Sequence, residues 1–81
     1  MTECPLSEAI FGEDYFISRI ASELDGPARI RLMEMGVLPG TDVSIIRRPF
    51  RHGLYYTRVN DTRYGIPSSY MDYIFVENGK Q

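Results

Sequence analysis

The apolar positions of this chain change period twice. In residues 15–21, YFISRIA, the residues Tyr15, Ile17 and Arg19 share one face while Phe16, Ser18 and Ile20 share the other, so the spacing predicts a first strand that is apolar on most of both sides. From residue 28 the repeat becomes helical: Ala28, Leu32 and Met35 form one stripe, with Ile30 and Met33 beside it. Asp25, Gly26 and Pro27 mark the start of that helix, because proline's fixed φ suits a first turn in which its missing N–H costs nothing. Gly36 followed by Val37 is a helix stop of the left-handed kind. Alternation then returns in residues 42–48, where Val43 and Ile45 face one way and Ile46 the other. Further strands are expected over residues 54–60, 62–66 and 73–77. Asn60-Asp61 reads as a hairpin tip, and PSSYMD as one helical turn opened by Pro67. Near the start, residues 5–9 suit a short turn with Ser7 as its cap and Gly12 as its end.

Five short strands with one helix inserted after the first describe a small closed barrel, since closure removes edges that so small a domain has little else to cover with. The expected fold is an SH3-like five-stranded barrel spanning residues 1–81 as one domain, with an OB-fold barrel as the alternative.

Charge adds a direction to this outline. The net charge of −2 conceals six acidic residues against Arg19 in residues 1–27, a balance of −5, and seven arginines against three acids in residues 28–66, a balance of +4. Arginine supplies a planar fork for carboxylate or phosphate, so the arginine-rich half suggests contacts. Arg47, Arg48, Arg51, Arg58 and Arg63 interleave with Phe50, Tyr55, Tyr56 and Tyr64 in the manner of a single-strand nucleic-acid platform. A sequence pI near 5.2 argues against that partner, as does the need to place half of those aromatics in a core.

Catalysis finds little to work with. One cysteine (Cys4) and one histidine (His52) stand far apart and outside any ligand-spaced cluster, so neither a metal site nor a cofactor is expected. Ser68 and Ser69 have no evident base, and no phosphate-cradling glycine motif occurs. The reading is that of a non-enzymatic protein. A single cysteine also fits a reducing cytoplasm, and no apolar run reaches the length of a membrane span.

The stretch RLMEMGVLPGTDV joins the helix to the second strand through Gly36, Pro39 and Gly40, residues that serve a tight turn. It resembles the signature of the FeoA-type domain: Arg31, Leu32, Met35, Gly36, Pro39, Gly40, Thr41 and Val43 occupy the family's places. Leu6, Gly12, Ile17, Ile20, Ile66, Ile74 and Val76 extend the similarity over nearly the whole chain. The resemblance implies an SH3-like adaptor in the cytoplasm that supports the ferrous-iron transporter FeoB by protein–protein contact. The residues expected to meet the partner are Met35, Arg47, Arg48, Arg51 and Tyr55; Leu32, Gly36, Pro39 and Gly40 are expected to be structural. An apolar cleft between helix and barrel offers a second docking mode, as in peptide-binding SH3 grooves. Self-association through an exposed apolar patch of Tyr70, Met71 and Tyr73 is a further expectation, set against the favoured reading that at least one of them is buried in the core; a regulatory module for a DNA-binding iron regulator is the alternative role. The chain departs from the family pattern in its loops. Arg51-His52-Gly53-Leu54 replaces a Gly-Gly-Pro-like loop, and Ile66-Pro67 with Tyr70-Met71 replaces a Leu-Arg and Glu-Ala pattern.

Overall fold

The computed structural model describes residues 3–49 and 53–78. In chain order they form β1 (Glu3–Pro5), a 3₁₀ turn (Leu6–Glu8), β2 (Tyr15–Ile20), α1 (Gly26–Glu34), β3 (Asp42–Arg47), β4 (Leu54–Val59), β5 (Thr62–Pro67), α2 (Ser68–Met71) and β6 (Ile74–Asn78). The strands build one antiparallel sheet in the order β1-β6-β2-β3-β4-β5. The sequence expectation of five strands in a closed barrel is therefore corrected on two counts. There is a sixth strand, β1, and among the described residues no ladder joins β1 to β5, so the sheet is not closed by hydrogen bonds.

The inward faces follow from the period-2 pattern. Ile17, Val43, Ile45, Val59, Ile66, Ile74 and Val76 are buried together with Ala28 and Leu32 of α1, Met71 of α2 and Leu6 of the 3₁₀ turn. Each of the Leu, Ile, Val and Met side chains contributes on the order of 1.5–3 kcal/mol when fully buried, and the Ala28 methyl less. Thr57 also faces inward, where its hydroxyl donates to Tyr55 O at 3.2 Å, and no buried side-chain polar atom among the described residues lacks a partner.

Two bulges interrupt the alternation. In the β2–β6 ladder Ile17 pairs with Val76 and Arg19 with Phe75, leaving Ser18 as the extra residue. In the β3–β4 ladder Ile45 pairs with Thr57 and Arg47 with Tyr56, leaving Ile46 extra. Arg19 accordingly lies on the outer face instead of sharing that of Ile17, and Ile20 turns inward to pack on the core, the reverse of simple alternation.

Smaller expectations also need correction. Ser7 does not cap the 3₁₀ turn, which begins after Pro5; its hydroxyl donates to Asp72 Oδ1 at 2.5 Å. That turn ends at Ala9 and not at Gly12. Met71 is fully buried and Tyr70 and Tyr73 are half-buried against the core, so these three do not form an exposed apolar patch. At the β4–β5 hairpin only Asn60 adopts positive φ (55°).

Candidate partner-binding site

The corner between α1 and β3 is built from backbone hydrogen bonds. Asp25 caps α1 by accepting from Ala28 N–H at 3.2 Å, with Pro27 in the first turn. At the other end Gly36, φ 84°, donates to Met33 O (2.9 Å), and Val37 donates to Leu32 O (2.9 Å). These two bonds define a Schellman closure, and Val37 is buried with Leu32, as such closures favour. Residues 38–41 then turn, Thr41 N–H donating to Leu38 O (3.0 Å), with Gly40 at φ 89° in the position that a type II turn reserves for glycine. The Thr41 hydroxyl donates to Gly36 O (3.1 Å) and ties the two closures together. The turn is also fastened to β2: Gly40 N–H donates to Ile17 O (2.7 Å) and Ile17 N–H to Thr41 O (2.9 Å).

Fixing the corner against β2 leaves a cleft of about 270 Å³ beside it, lined by Ile20, Met33, Val37, Leu38 and Pro39 with Arg19 and Arg29 at its walls. Both arginines are already engaged. Arg29 Nη2 donates to Ala21 O (2.7 Å) and Leu24 O (3.4 Å), while Arg19 pairs with Glu3 (3.2 Å) and lies over the Phe75 ring. What the cleft offers is apolar surface: Ile30, Met33 and Leu38 are all more than 40% exposed around it or on the adjoining helix face. Ile30 and Met33 stand off the buried Ala28–Leu32 stripe, so burial within this chain gives them no role.

The contact residues expected from sequence are spread more widely than one surface. Met35 is half-buried and packs on the core beside Gly36, near the Val43–Val59 end of the β3–β4 ladder. Arg47 sits four residues along β3, roughly 13 Å away at strand rise. Arg48 is held by the chain itself: Nη1 donates to Ser7 O (3.1 Å), Nη2 donates to Ala9 O, and its guanidinium lies 6.0 Å from the Tyr55 ring centroid. Tyr55 is half-buried against the core. Arg51 lies outside the described residues. Arg48 and Tyr55 are thus brought together and Met35 is separate from them. Leu32 (0% exposed), Gly36, Pro39 and Gly40 occupy the corner and its base, and Pro39 also lines the cleft.

What the cleft presents is a shaped, largely apolar surface. Among the described residues no group of three or more His, Cys, Asp or Glu side chains is placed to hold a metal ion. Among the described residues two groups are shifted from their ordinary values, both on β1. The Ser18 hydroxyl, with Arg19 assisting, holds the Glu3 carboxyl below the usual range, and burial pushes the Cys4 thiol up, reinforced by Glu8 and Glu3. No described helix is long and apolar enough to cross a membrane.

Residues 4–78 match the model of the FeoA domain. The chain belongs to the FeoA domain family. That family comprises non-enzymatic accessory domains associated with ferrous-iron transport, and its fold is SH3-like. A crystal structure described as the iron uptake regulatory protein FeoA is 23% identical, with a TM-score of 0.80 over 95% of this chain and 97% of that one. The FeoA-like protein from Clostridium acetobutylicum is also 23% identical, with a TM-score of 0.80 over 100% of this chain and 93% of that one. A manganese-dependent transcriptional repressor superposes with a TM-score of 0.84 at 16% identity; 94% of this FeoA domain covers 41% of that chain. At such identities these structures share the fold with this FeoA chain. No curated protein sequence matches it.

Proposed function

We propose that this FeoA-domain protein is a non-enzymatic cytoplasmic accessory of ferrous-iron uptake that acts by direct contact with the cytoplasmic part of a FeoB-type transporter, through the cleft beside the glycine corner. The observation that carries this reading is the apolar cleft itself. Its walls are fixed by backbone hydrogen bonds on the corner side and by α1 on the other, while Met33 and Leu38 remain exposed. A preformed groove limits the entropy lost when a short segment of a partner docks, and a small contact suits a transient regulator. Met35, Arg47, Arg48, Arg51 and Tyr55 then act at the margin of a larger footprint or in holding the loops that border it.

The test is affinity between the purified protein and the transporter's cytoplasmic domain, read by calorimetry. Met33→Glu and Leu38→Glu should each weaken binding by at least about tenfold, since each buries an unpaired charge in the contact. Binding unchanged in both would sink the cleft, and no binding by the unaltered protein would sink the adaptor reading. The likeness to a repressor favours a second reading, in which the same fold serves as a regulatory module for a DNA-binding iron regulator. Recovery of such a regulator from iron-starved cells, with the transporter absent, would favour it.

A further inference from the structure

The outer face of strands β2–β5 carries a charge pattern that is independent of the corner cleft. One row crosses the sheet through Asp14, Ser44, Arg58 and Arg63. Ser44 is opposite Arg58, Arg58 is opposite Arg63, and Asp14 reaches Arg58 from the β2 side. Two arginines directly opposite each other repel. Arg58 is compensated: its Nη2 lies 2.8 Å from Asp14 Oδ1, its Nη1 3.4 Å from Asp42 Oδ2, and its Nε donates to Ser44 Oγ at 3.1 Å. Arg63 has no ion pair or hydrogen-bond partner among the described residues, and neither has Arg47, which the Ile46 bulge delivers to this same face. Tyr56, 47% exposed, lies between Arg47 and the diagonal Arg63, and the three bound a hollow of about 250 Å³ with Ile46.

The β2 side of this face has the opposite character. Phe16 is 43% exposed and stands beside Asp42, and Asp14 keeps 68% of its side chain in solvent although it touches Arg58. Glu13 precedes it with no ion-pair partner among the described residues. An acidic, aromatic half and a basic, aromatic half therefore flank the β3–β4 seam, matching the −5 and +4 balances of residues 1–27 and 28–66.

A surface divided in this way complements itself. A two-fold axis running along the β3–β4 seam, parallel to the strands, lays the β2 side of one molecule on the β5 side of another. The row then places Asp14 of each copy against Arg63 of the other, twice per dimer, with Glu13 alongside. We propose that this face is a homodimer interface in which the Asp14–Arg63 pair, formed reciprocally between two copies, supplies the partner that Arg63 lacks within its own chain. The occupant is a second copy of this chain, because the chain itself carries both halves of the complement.

The test is sedimentation of the full chain over a micromolar-to-millimolar concentration series at low and high salt. A concentration-dependent dimer that weakens with salt is expected. Asp14→Lys and Arg63→Glu should each raise the dissociation constant by at least about tenfold, since each places like charges face to face. An equimolar mixture of the two variants should pair again, because the mixed dimer has an opposite-charge pair at both positions. Arg63 makes no ion pair or hydrogen bond among the described residues and stands opposite Arg58, so Arg63→Glu should not lower the thermal midpoint, separating lost association from lost folding. A monomer at every concentration, dimers equally strong in either variant, or a mixture that stays monomeric while its components are folded would each overturn the proposal.

Discussion

The guanidinium carbon of Arg19 lies 4.1 Å from the centroid of the Phe75 ring, and this contact exists because Ser18 is an extra residue in β2. Without the bulge Arg19 would stand opposite Ile74, which is fully buried. The β3 bulge acts alike: Arg47 faces Tyr56 on the outer side, whereas uninterrupted pairing would place it opposite Tyr55. Each bulge diverts an arginine from the core. Deleting Ser18 removes the extra residue and lets Arg19 and Ile20 keep Phe75 and Ile74 as partners in unbroken alternation, so Arg19 should stay outside and the deletion should cost only about 1–2 kcal/mol, chiefly the Ser18 hydroxyl bonds. Ser18→Ala, which loses only the hydroxyl bonds to Glu3 (2.7 Å) and Phe75 O (3.0 Å), should cost about 1 kcal/mol in a urea titration.

Glycine at the corner is required by conformation and not by space. At Gly36 an added Cβ would meet only Val59 Cγ1 at 4.0 Å, and at Gly40 it would meet nothing within 4 Å. Gly36→Ala and Gly40→Ala should still each lose roughly 1–2 kcal/mol of unfolding free energy, since both positions hold positive φ. Gly26→Ala, at the start of α1 and away from that region, should be neutral or gain up to about 0.5 kcal/mol.

Two neighbours on α1 should divide stability from binding. Leu32 is fully buried, and Leu32→Ala should cost about 2–5 kcal/mol. Met33 is 52% exposed in the cleft wall; Met33→Ser should change stability by less than about 0.5 kcal/mol while weakening transporter binding.

At the edge strand the pH dependence has a definite sign. Glu3 is held below its ordinary carboxyl range in the folded state, so its contribution is present above the unfolded value and fades as pH falls through the lower folded one. An NMR titration should place the Glu3 midpoint below that of a free glutamate, and Ser18→Ala should move it back up. Cys4, shifted the other way by burial, should alkylate more slowly at mildly alkaline pH than a free thiol.

The parts of this structure that were legible in sequence are those with a strong local cause. The Ala28–Leu32 stripe, the Asp25-Gly26-Pro27 start, the Gly36 stop and the Asn60 turn each lie close to where local chemistry places them. β1 was not legible, because three residues ending in proline carry no alternation and the strand exists only through pairing with β6. Nor were the bulges, which are decided by which neighbour must avoid burying Arg19 or Arg47. The candidate site was half visible: an apolar cleft beside the helix was expected, but its lining by Ile20 and Leu38 depends on how the corner is fastened to Ile17. The one signal was Ile30 and Met33, two large apolar residues lying off the buried stripe.

The corner also sets where this chain can change length. Between Gly36 and Thr41 every residue position is counted, by the turn's own bond, by the Thr41 hydroxyl reaching back to Gly36 O, and by the paired bonds of Gly40 and Thr41 to Ile17. One added residue would put Thr41 out of phase with all three and shift the register of β3 behind it. The Asn60-Asp61 tip is held more lightly, by one bond from Asn60 N–H to Asp42 O (2.8 Å) and one from Arg58 Nη1 to Asn60 O (2.6 Å), and it joins two strands that already pair along their whole length. A reporter, an epitope or a natural insertion belongs at the tip, and the corner behaves as a ruler that tolerates substitution better than it tolerates one residue more.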